Sequence, residues 1–501
     1  MKKLILFLFL STAFSWLASA KQVEENIART VAGNFFASRI DKNQLKALPA
    51  PVLVYTYGNL KTGQDAGSKA APAFYVYNFT GTPGGFVIVS GNDACTPILG
   101  YSTESSFQTG NIPPALLWWL QGYHRQIRDA AEKDLKATPE TEGEWTALLS
   151  DVPGSSVFQK STSAVAPLVK VCWNQEKYYN DSCPVINTST GKRGYVGCVA
   201  TSMAMIMAYH KHPVQGKGEN SYTTETLKLK CYANFEKTTY NWSLMPDSLN
   251  KYSSPNSVSA VATLMYHCGV SMNINYKLDV TSGQDFAQND PNAPCTENAL
   301  KKYFGYDPSL RQEDRKDYTT DADWINMLKT DLNASRPIIY TGRDTTGGDT
   351  IGGGHSFICD GYDDYNLFHF NWGWGGSCNG NYNINNMNPP NQGTYNVGQA
   401  VLVGIKKSTL GVEDKNLSDK LVVYPNPTRG ILEIKLDKGQ GDDLQKTVVT
   451  SMMGKKVYES SAKAENDHIS LDLSASPQGS YIITFYFNSG EKASGSFLIT
   501  K

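Results

Sequence analysis

The sequence has no excess of charge of either sign. It contains 46 Lys and Arg residues against 47 Asp and Glu residues, and its formal net charge is -1 over 501 residues. Proteins that bind nucleic acid or anionic membranes through their charge carry a basic excess. The composition therefore gives no support to either class of partner.

Apolar stretches long enough to span a bilayer are missing after the first 20 residues. At the start, two lysines precede an apolar run over residues 4–10, and Ala18-Ser19-Ala20 follows. This order is typical of a secretory signal peptide over residues 1–20, with cleavage after Ala20. A membrane anchor is the alternative, but the run is short and is interrupted by hydroxyl residues.

Histidine is scarce, with seven residues, and no spacing of histidine and cysteine is typical of a zinc site. His210 and His212 could together bind a metal. A histidine at the end of a helix is, however, favoured by the helix dipole without any metal. We therefore expect no metal and no cofactor.

Residues 194–213 contain the strongest candidate for a catalytic group. Gly197 ends an irregular run, a segment rich in Met and Ala follows, and Pro213 stops it, so the pattern predicts a helix with Cys198 in its first turn. Unpaired N–H groups and the positive end of the dipole lower the pKa of a thiol placed there. On the helix alone, a buried structural cysteine is the competing interpretation, because free cysteine is often buried.

A predicted hairpin in the second half of the chain favours the catalytic interpretation. Its first strand is entered through glycines and begins at His355, and its second strand ends at Asn371. A hairpin of this length returns Asn371 to the neighbourhood of His355, although the pattern does not fix which residues face each other. A cysteine at a helix start with a distant His and a later Asn is the arrangement of papain-like proteases.

Longer motifs around these residues resemble the streptopain (C10) family of secreted cysteine proteases, over roughly residues 162–406. The matching segments are Gly197-Cys198-Val199-Ala200-Thr201, Gly353-Gly354-His355-Ser356-Phe357 and Asn371-Trp372-Gly373-Trp374-Gly375-Gly376. The resemblance implies an α+β papain-like domain that hydrolyses peptide bonds through an acyl-enzyme. Cys198 is then the nucleophile, His355 the general base and later acid, and Asn371 the residue that orients the imidazole.

The same resemblance implies two further site residues. Gln175 matches the glutamine of a family Asn-Gln-x-x-x-Tyr-Asn stretch that helps form the oxyanion hole, together with the backbone N–H of Cys198. A surface glutamine is the alternative. Trp372, by resemblance, packs over the contact between His355 and Asn371 and shields it from water.

The cysteine count limits disulfide formation. Disulfides are expected in an exported protein, and this chain has nine cysteines. If Cys198 is a free nucleophile and Cys95 lies in a segment that is removed, seven cysteines remain in the catalytic region. Complete pairing is then impossible, and the sequence leaves the pattern open.

Residues 21–160 are predicted to form an inhibitory prodomain. The pattern predicts an amphipathic helix over 23–35, strands at 51–55, 73–79 and 85–90, and a helix from Ala115 to about Leu135. Residues 86–90 and 97–102 resemble the propeptide of the same family. Between Pro139 and Pro167 the apolar periodicity fades, and such exposed polar tracts are where proteases cut.

The catalytic domain is predicted over residues 161–406, a linker over 407–420 and a further domain over 421–501. In the middle of the catalytic domain we expect helices near 258–264 and 321–332. Polar loops at 281–292 and 343–350 are candidates for the cleft border, with mobile surface as the alternative.

The last 80 or so residues alternate short predicted strands with turns, which is typical of a small β-sandwich. Tyr424-Pro425-Asn426-Pro427 followed by Gly430, and a final strand reaching Lys501, resemble the C-terminal sorting domain of type IX secretion cargo. A generic immunoglobulin-like module is the alternative.

Together these features predict a secreted cysteine endopeptidase made as a zymogen, with an α+β prodomain, an α+β papain-like domain and an all-β sandwich. Its expected partners are protein or peptide substrates, its own prodomain and the type IX secretion machinery, and it reaches the outer surface or the medium through the periplasm. Two rivals remain: a transglutaminase-type acyl transferase, and a surface-binding protein on an inactive protease scaffold.

Overall fold

In the computed structural model the chain divides into two compact units, residues 1–407 and 408–501. The structure describes residues 21–40, 50–60, 71–81, 84–110, 112–150, 164–277, 290, 292–342, 355–384, 398–408, 422–435, 444–451, 455–461, 468–487 and 492–500. The predicted signal peptide, the polar loop at 343–350, most of the polar loop at 281–292 and most of the predicted linker lie outside these residues.

The first part of unit one contains the helices and strands that the sequence predicts, together with one further strand, β4, and one further helix, α3. They are α1 (Glu25–Arg39), β1 (Val52–Leu60), β2 (Ala71–Phe79), β3 (Gly85–Ser90), β4 (Ile98–Ser102), α2 (Pro114–Glu132) and α3 (Pro139–Leu149). Helix α3 lies where the apolar periodicity fades. Its N-terminus is stabilised locally, because the Thr138 side chain accepts a hydrogen bond from the N–H of Thr141 and acidic residues occupy the first turn.

The rest of unit one alternates helices and strands. They are β5 (Val185–Asn187), β6 (Lys192–Arg193), α4 (Cys198–His210), β7 (Glu219–Thr223), β8 (Lys230–Asn234), α5 (Pro255–Ser271), α6 (Thr296–Phe304), β9 (Arg311–Asp314), α7 (Asp321–Asn333), β10 (Ile338–Gly342), β11 (His355–Tyr362), β12 (Leu367–Asn371), β13 (Gly380–Asn383) and β14 (Gln399–Val403). Predicted helices near 258–264 and 321–332 correspond to α5 and α7.

One ten-stranded sheet organises unit one, in the order β1-β2-β3-β4-β13-β12-β11-β10-β14-β9. Strand β4 joins the two halves by pairing antiparallel with β13, with Tyr101 opposite Asn381. The N-terminal strands therefore continue directly into the strands that carry His355 and Asn371.

The two faces of this sheet are buried by different helices. Helix α4 packs on β11 and on α5, in a core that includes Met203, Met205 and Ile358. Helix α2 packs on the opposite face, where Trp119 makes edge-to-face contacts with Phe357 and Phe370 at ring-centroid distances of 6.0 and 5.0 Å. Such aromatic pairs add stabilisation beyond the buried area.

Unit two is all β. Its strands are β15 (Val422–Tyr424), β16 (Ile431–Lys435), β17 (Leu444–Ser451), β18 (Lys456–Ser460), β19 (His468–Asp472), β20 (Gly479–Phe487) and β21 (Lys492–Ile499). They form a three-stranded and a four-stranded sheet around one apolar core. The α+β fold with an all-β C-terminal part is thus confirmed, while β18 and β19 were not predicted. Among the helices that the structure describes, none combines the length and apolarity needed to cross a membrane.

Candidate active site

Helix α4 begins at Cys198, as the sequence predicts. Gly197 precedes it with φ at 92°, a conformation that favours glycine, and its carbonyl oxygen accepts the N–H of Thr201 at 3.0 Å. Residues 199–207 are buried, whereas Cys198 keeps part of its surface exposed. The first turn therefore presents the thiol at the rim of the core.

Burial has the largest effect on the pKa of the Cys198 thiol. Burial raises its pKa above the usual value, and hydrogen bonds from the backbone N–H groups of Ser356, Val199 and Cys198 only partly offset this. The predicted effect of the helix start is present, but the expectation of a lowered pKa was wrong here because desolvation of the thiolate is the larger effect.

His355 begins β11, opposite Gly342 of β10. Burial lowers its pKa to about 4, so the imidazole is neutral at pH 7. Its Nε2 atom is buried and has no hydrogen-bond partner among the described residues. Since the hydroxyl of the next residue, Ser356, donates to Ser202 Oγ on α4 at 2.9 Å, the helix start and the strand start adjoin each other.

Two serines that the sequence reasoning missed join these elements. The Ser356 hydroxyl donates to Ser202 Oγ at 2.9 Å, and the Ser202 hydroxyl donates to the Cys198 carbonyl oxygen at 2.8 Å. Both serines are about 1% exposed. A serine one turn after Cys198, on a largely apolar helix, was the available signal.

Asn371 contacts a different part of the site from the one expected. It lies opposite Ile358, and its side-chain amide donates to the Val171 carbonyl oxygen at 2.9 Å. Its Oδ1 atom accepts the N–H of Gly373 at 3.2 Å. Within the described part of the chain, these bonds tie Asn371 to the segment before Gln175 and not to His355, so its role toward the imidazole stays a prediction.

Trp372 is fully buried beside the strand that begins at His355. Its indole N–H donates to the Cys378 carbonyl oxygen at 3.0 Å, and its ring centroid lies 4.7 Å from that of Phe357. The ring therefore forms an apolar wall two residues from the imidazole along β11. This position is compatible with the predicted shielding role.

Gln175 is 5% exposed, so the alternative of a surface glutamine was wrong. The Val196 N–H donates to its carbonyl oxygen at 3.0 Å, which holds the Gln175 backbone beside the entry to α4. The Gly375 N–H donates to the Trp173 carbonyl oxygen at 2.9 Å and fixes the same segment from the other side. The structure thus brings residues 173–175 next to the two residues before Cys198.

Helix α2 lies against the strands beside His355. The Trp118 ring occupies the space over Gly342, where a Cβ atom would lie 1.9 Å from the ring. Only glycine fits opposite His355 while Trp118 is in place. The N-terminal region therefore covers the sheet face next to the imidazole.

Three family models match the chain. Residues 20–127 match the Spi protease inhibitor, residues 173–382 the Peptidase C10 family and residues 422–500 the secretion system C-terminal sorting domain.

Individual relatives agree with these matches. Thiol protease/hemagglutinin PrtT of Porphyromonas gingivalis is 31% identical over 404 residues, which are 78% of this chain and 43% of that protein, so the chain spans less than half of its length. Streptopain of Streptococcus pyogenes serotype M28 is 30% identical over 359 residues, 68% of this chain and 82% of streptopain. A fragment of Prevotella intermedia prointerpain A superposes with a TM-score of 0.52 at 28% identity, over 70% of this chain and 98% of the fragment.

Proposed function

The chain belongs to the Peptidase C10 family, and from this premise we propose that it is the zymogen of a secreted cysteine endopeptidase that acts through Cys198. The observation that carries the proposal is the partly exposed thiol at the start of α4, where Ser202 links Cys198 by hydrogen bonds to Ser356, the residue directly after His355. Comparing peptide hydrolysis by the wild-type chain and by Cys198→Ala tests it.

In the proposed reaction one proton moves between Cys198 and His355. His355 takes the proton of the Cys198 thiol, and the sulfur attacks the carbonyl carbon of the scissile peptide bond. His355 then gives the proton to the leaving amine, and the acyl group stays on sulfur. Water, deprotonated by the same imidazole, releases the acid product and restores the thiol.

The oxyanion that forms in each step needs hydrogen-bond donors. The backbone N–H of Cys198 and the side-chain amide of Gln175 are the proposed pair, because Gln175 is buried and its backbone is bonded to Val196. Asn371 and Trp372 are proposed to support the imidazole in the active form. In the precursor, the hydrogen bonds of Asn371 instead hold the segment that leads to Gln175.

Gln175→Ala should lower kcat by roughly 10²–10³ with little change in KM, the usual size for one oxyanion donor. Steady-state kinetics on a peptide substrate measure both constants. Asn275→Ala is the matched control, since Asn275 is a buried amide that donates to the Thr226 hydroxyl and should leave kcat near the wild-type value. An effect of Gln175→Ala mainly on KM would mean that this amide binds substrate.

The N-terminal region, proposed as a prodomain over residues 21–160, keeps the precursor inactive by packing on the sheet next to the proposed base. It covers the strands beside His355 with Trp118 and Trp119. Cleavage between about 139 and 167 is the proposed release step.

The proposed catalytic domain spans residues 161–406, and residues 421–501 are proposed to direct export by type IX secretion from the periplasm. Their deletion should leave the purified enzyme active, because no proposed catalytic group lies in this unit, but should trap it in the periplasm of a type IX secreting host. Cell fractionation and an activity assay measure the two outcomes. Normal export of an inactive truncated enzyme would instead assign unit two to the catalytic fold.

A further inference from the structure

A largely buried ionic triad contains none of the proposed catalytic residues. Nδ1 of His369 lies 2.5 Å from Oδ1 of Asp360, and Nε2 of the same ring lies 2.6 Å from Oε1 of Glu104. The side chains of Asp360 and His369 are 0% and 5% exposed, and that of Glu104 is half exposed. Both ring nitrogens of His369 therefore face carboxylates.

The triad joins the two regions of unit one. Asp360 on β11 and His369 on β12 belong to the region that matches the peptidase model, whereas Glu104 belongs to the region that matches the inhibitor model. The loop that carries Glu104 is docked locally, since the Ser105 hydroxyl donates to the Asn379 carbonyl oxygen at 2.9 Å. Glu104 is thus presented to His369 by the fold of the N-terminal region.

Charge explains why the triad is stable when buried. Burial alone lowers the pKa of His369, but Asp360 and Glu104 outweigh it and raise the pKa to about 10. The hydrogen bond from His369 lowers the pKa of Glu104. The charge of the His369 imidazolium is therefore balanced by Asp360 at Nδ1. Its Nε2 atom is not paired within the peptidase region, and a buried cation favours an anionic partner there.

Asp360 extends the triad toward the proposed oxyanion residue. Its second oxygen, Oδ2, accepts the N–H of Val169 at 2.7 Å, and its carbonyl oxygen accepts the N–H of Leu168 at 3.1 Å. Two residues later, Val171 is held by Asn371, and the segment continues to Gln175. The Asp360 carboxylate thus accepts hydrogen bonds from His369, which also contacts Glu104, and from the segment that leads to Gln175.

We propose that His369, oriented by Asp360, is a carboxylate-binding site of the peptidase region, that Glu104 is its ligand in the precursor, and that its occupancy orders residues 168–173. The inference rests on the proposed function only in treating residues 21–160 as a removable prodomain. Its ligand class is a carboxylate, and removal of the prodomain frees the site.

The pH dependence of docking follows from the two groups that contact the ring, Asp360 from β11 and Glu104 from the N-terminal region. Cys172 lies near both carboxylates, and burial raises the pKa of its thiol. His369 keeps its contact with Asp360 when Glu104 is undocked, so its contribution to docking is complete below the pKa that the ring has with Asp360 alone and is lost as pH rises through about 10. The Glu104 contribution is complete above the ordinary value of 4.5 and is lost as pH falls through its lowered pKa. Docking should therefore be strongest above pH 4.5 and should weaken as the pH approaches 10.

The test uses full-length Cys198→Ala precursor, so its outcome does not depend on peptidase activity. Histidine-labelled NMR follows the seven imidazoles through a pH titration, and His369→Gln assigns the resonance. One imidazole should stay protonated well above pH 8, and Glu104→Gln should lower its midpoint by at least about one pH unit. Glu140→Gln, which changes an exposed carboxylate of the same region, should leave it unchanged.

Amide hydrogen exchange gives a second readout. Residues 168–173 should exchange at least roughly tenfold faster in Glu104→Gln than in Glu140→Gln, because a charged hydrogen bond that supports the segment is lost. Because Glu104→Gln needs no change at a fully buried residue, the comparison survives if His369→Gln fails to fold. An unchanged midpoint in Glu104→Gln would overturn the carboxylate site, and unchanged exchange would overturn its coupling to the segment.

Discussion

Replacing Cys198 with alanine should abolish peptide hydrolysis. The loss in kcat should be on the order of 10⁶, the size seen when the nucleophile of a catalytic unit is removed. The reason is chemical, since alanine cannot form the acyl intermediate while the oxyanion donors and the binding surface remain. Hydrolysis of a peptide substrate by the matured enzyme, followed to the detection limit, measures the loss.

The same variant should remain folded. The substitution removes one sulfur from the first turn of α4 and leaves the hydrogen bonds from Ser356 to Ser202 and from Ser202 to the carbonyl oxygen of residue 198 in place. Thermal unfolding and circular dichroism check this. Cys172→Ala is the control, because Cys172 is also a partly exposed thiol but is not at a helix start. Appreciable turnover by Cys198→Ala, or equal loss in the control, would contradict the mechanism.

Replacing His355 with alanine should cost nearly as much as replacing Cys198. Without the imidazole, no described group next to the sulfur can take its proton, and the neutral thiol is a weak nucleophile. Because the two residues act as one unit, the double variant should be no slower than either single variant.

Steady-state kinetics of the two single variants and the double variant test this non-additivity. His468→Ala is the matched control, since His468 lies exposed in unit two and should leave kcat unchanged. If His355→Ala only slightly slowed turnover, another base would have to be found. If the double variant were slower by the product of both losses, the residues would act independently.

Local signals in the sequence were sufficient for the elements that carry the proposed nucleophile and base. A glycine before Cys198 and a proline after the apolar run predicted α4, and glycines with a turn predicted the hairpin of β11 and β12. The resemblance to the streptopain family and to a type IX sorting domain is confirmed by the family models and by the streptopain match.

Contacts between distant parts of the chain were not predictable in this way. Glu104 and His369 are 265 positions apart, and β4 pairs with β13 across a similar separation. The register between β11 and β12, which the sequence does not fix, places Asn371 opposite Ile358. The sequence predicts that Cys198 lies at a helix start, where the dipole lowers its pKa. It does not predict how far the folded protein buries the thiol, and this burial raises the pKa.

The central claim is that Cys198 is the nucleophile of a latent peptidase. A peptide-based thiol-reactive inhibitor, added to the precursor and to the matured enzyme and located by mass spectrometry, tests it most directly. The account predicts one label per matured molecule, on Cys198, with activity lost in proportion, and almost none on Cys198 in the precursor, where the N-terminal region covers the sheet face next to His355. Full activity with Cys198 labelled, or inactivation by a label on another cysteine, would contradict it.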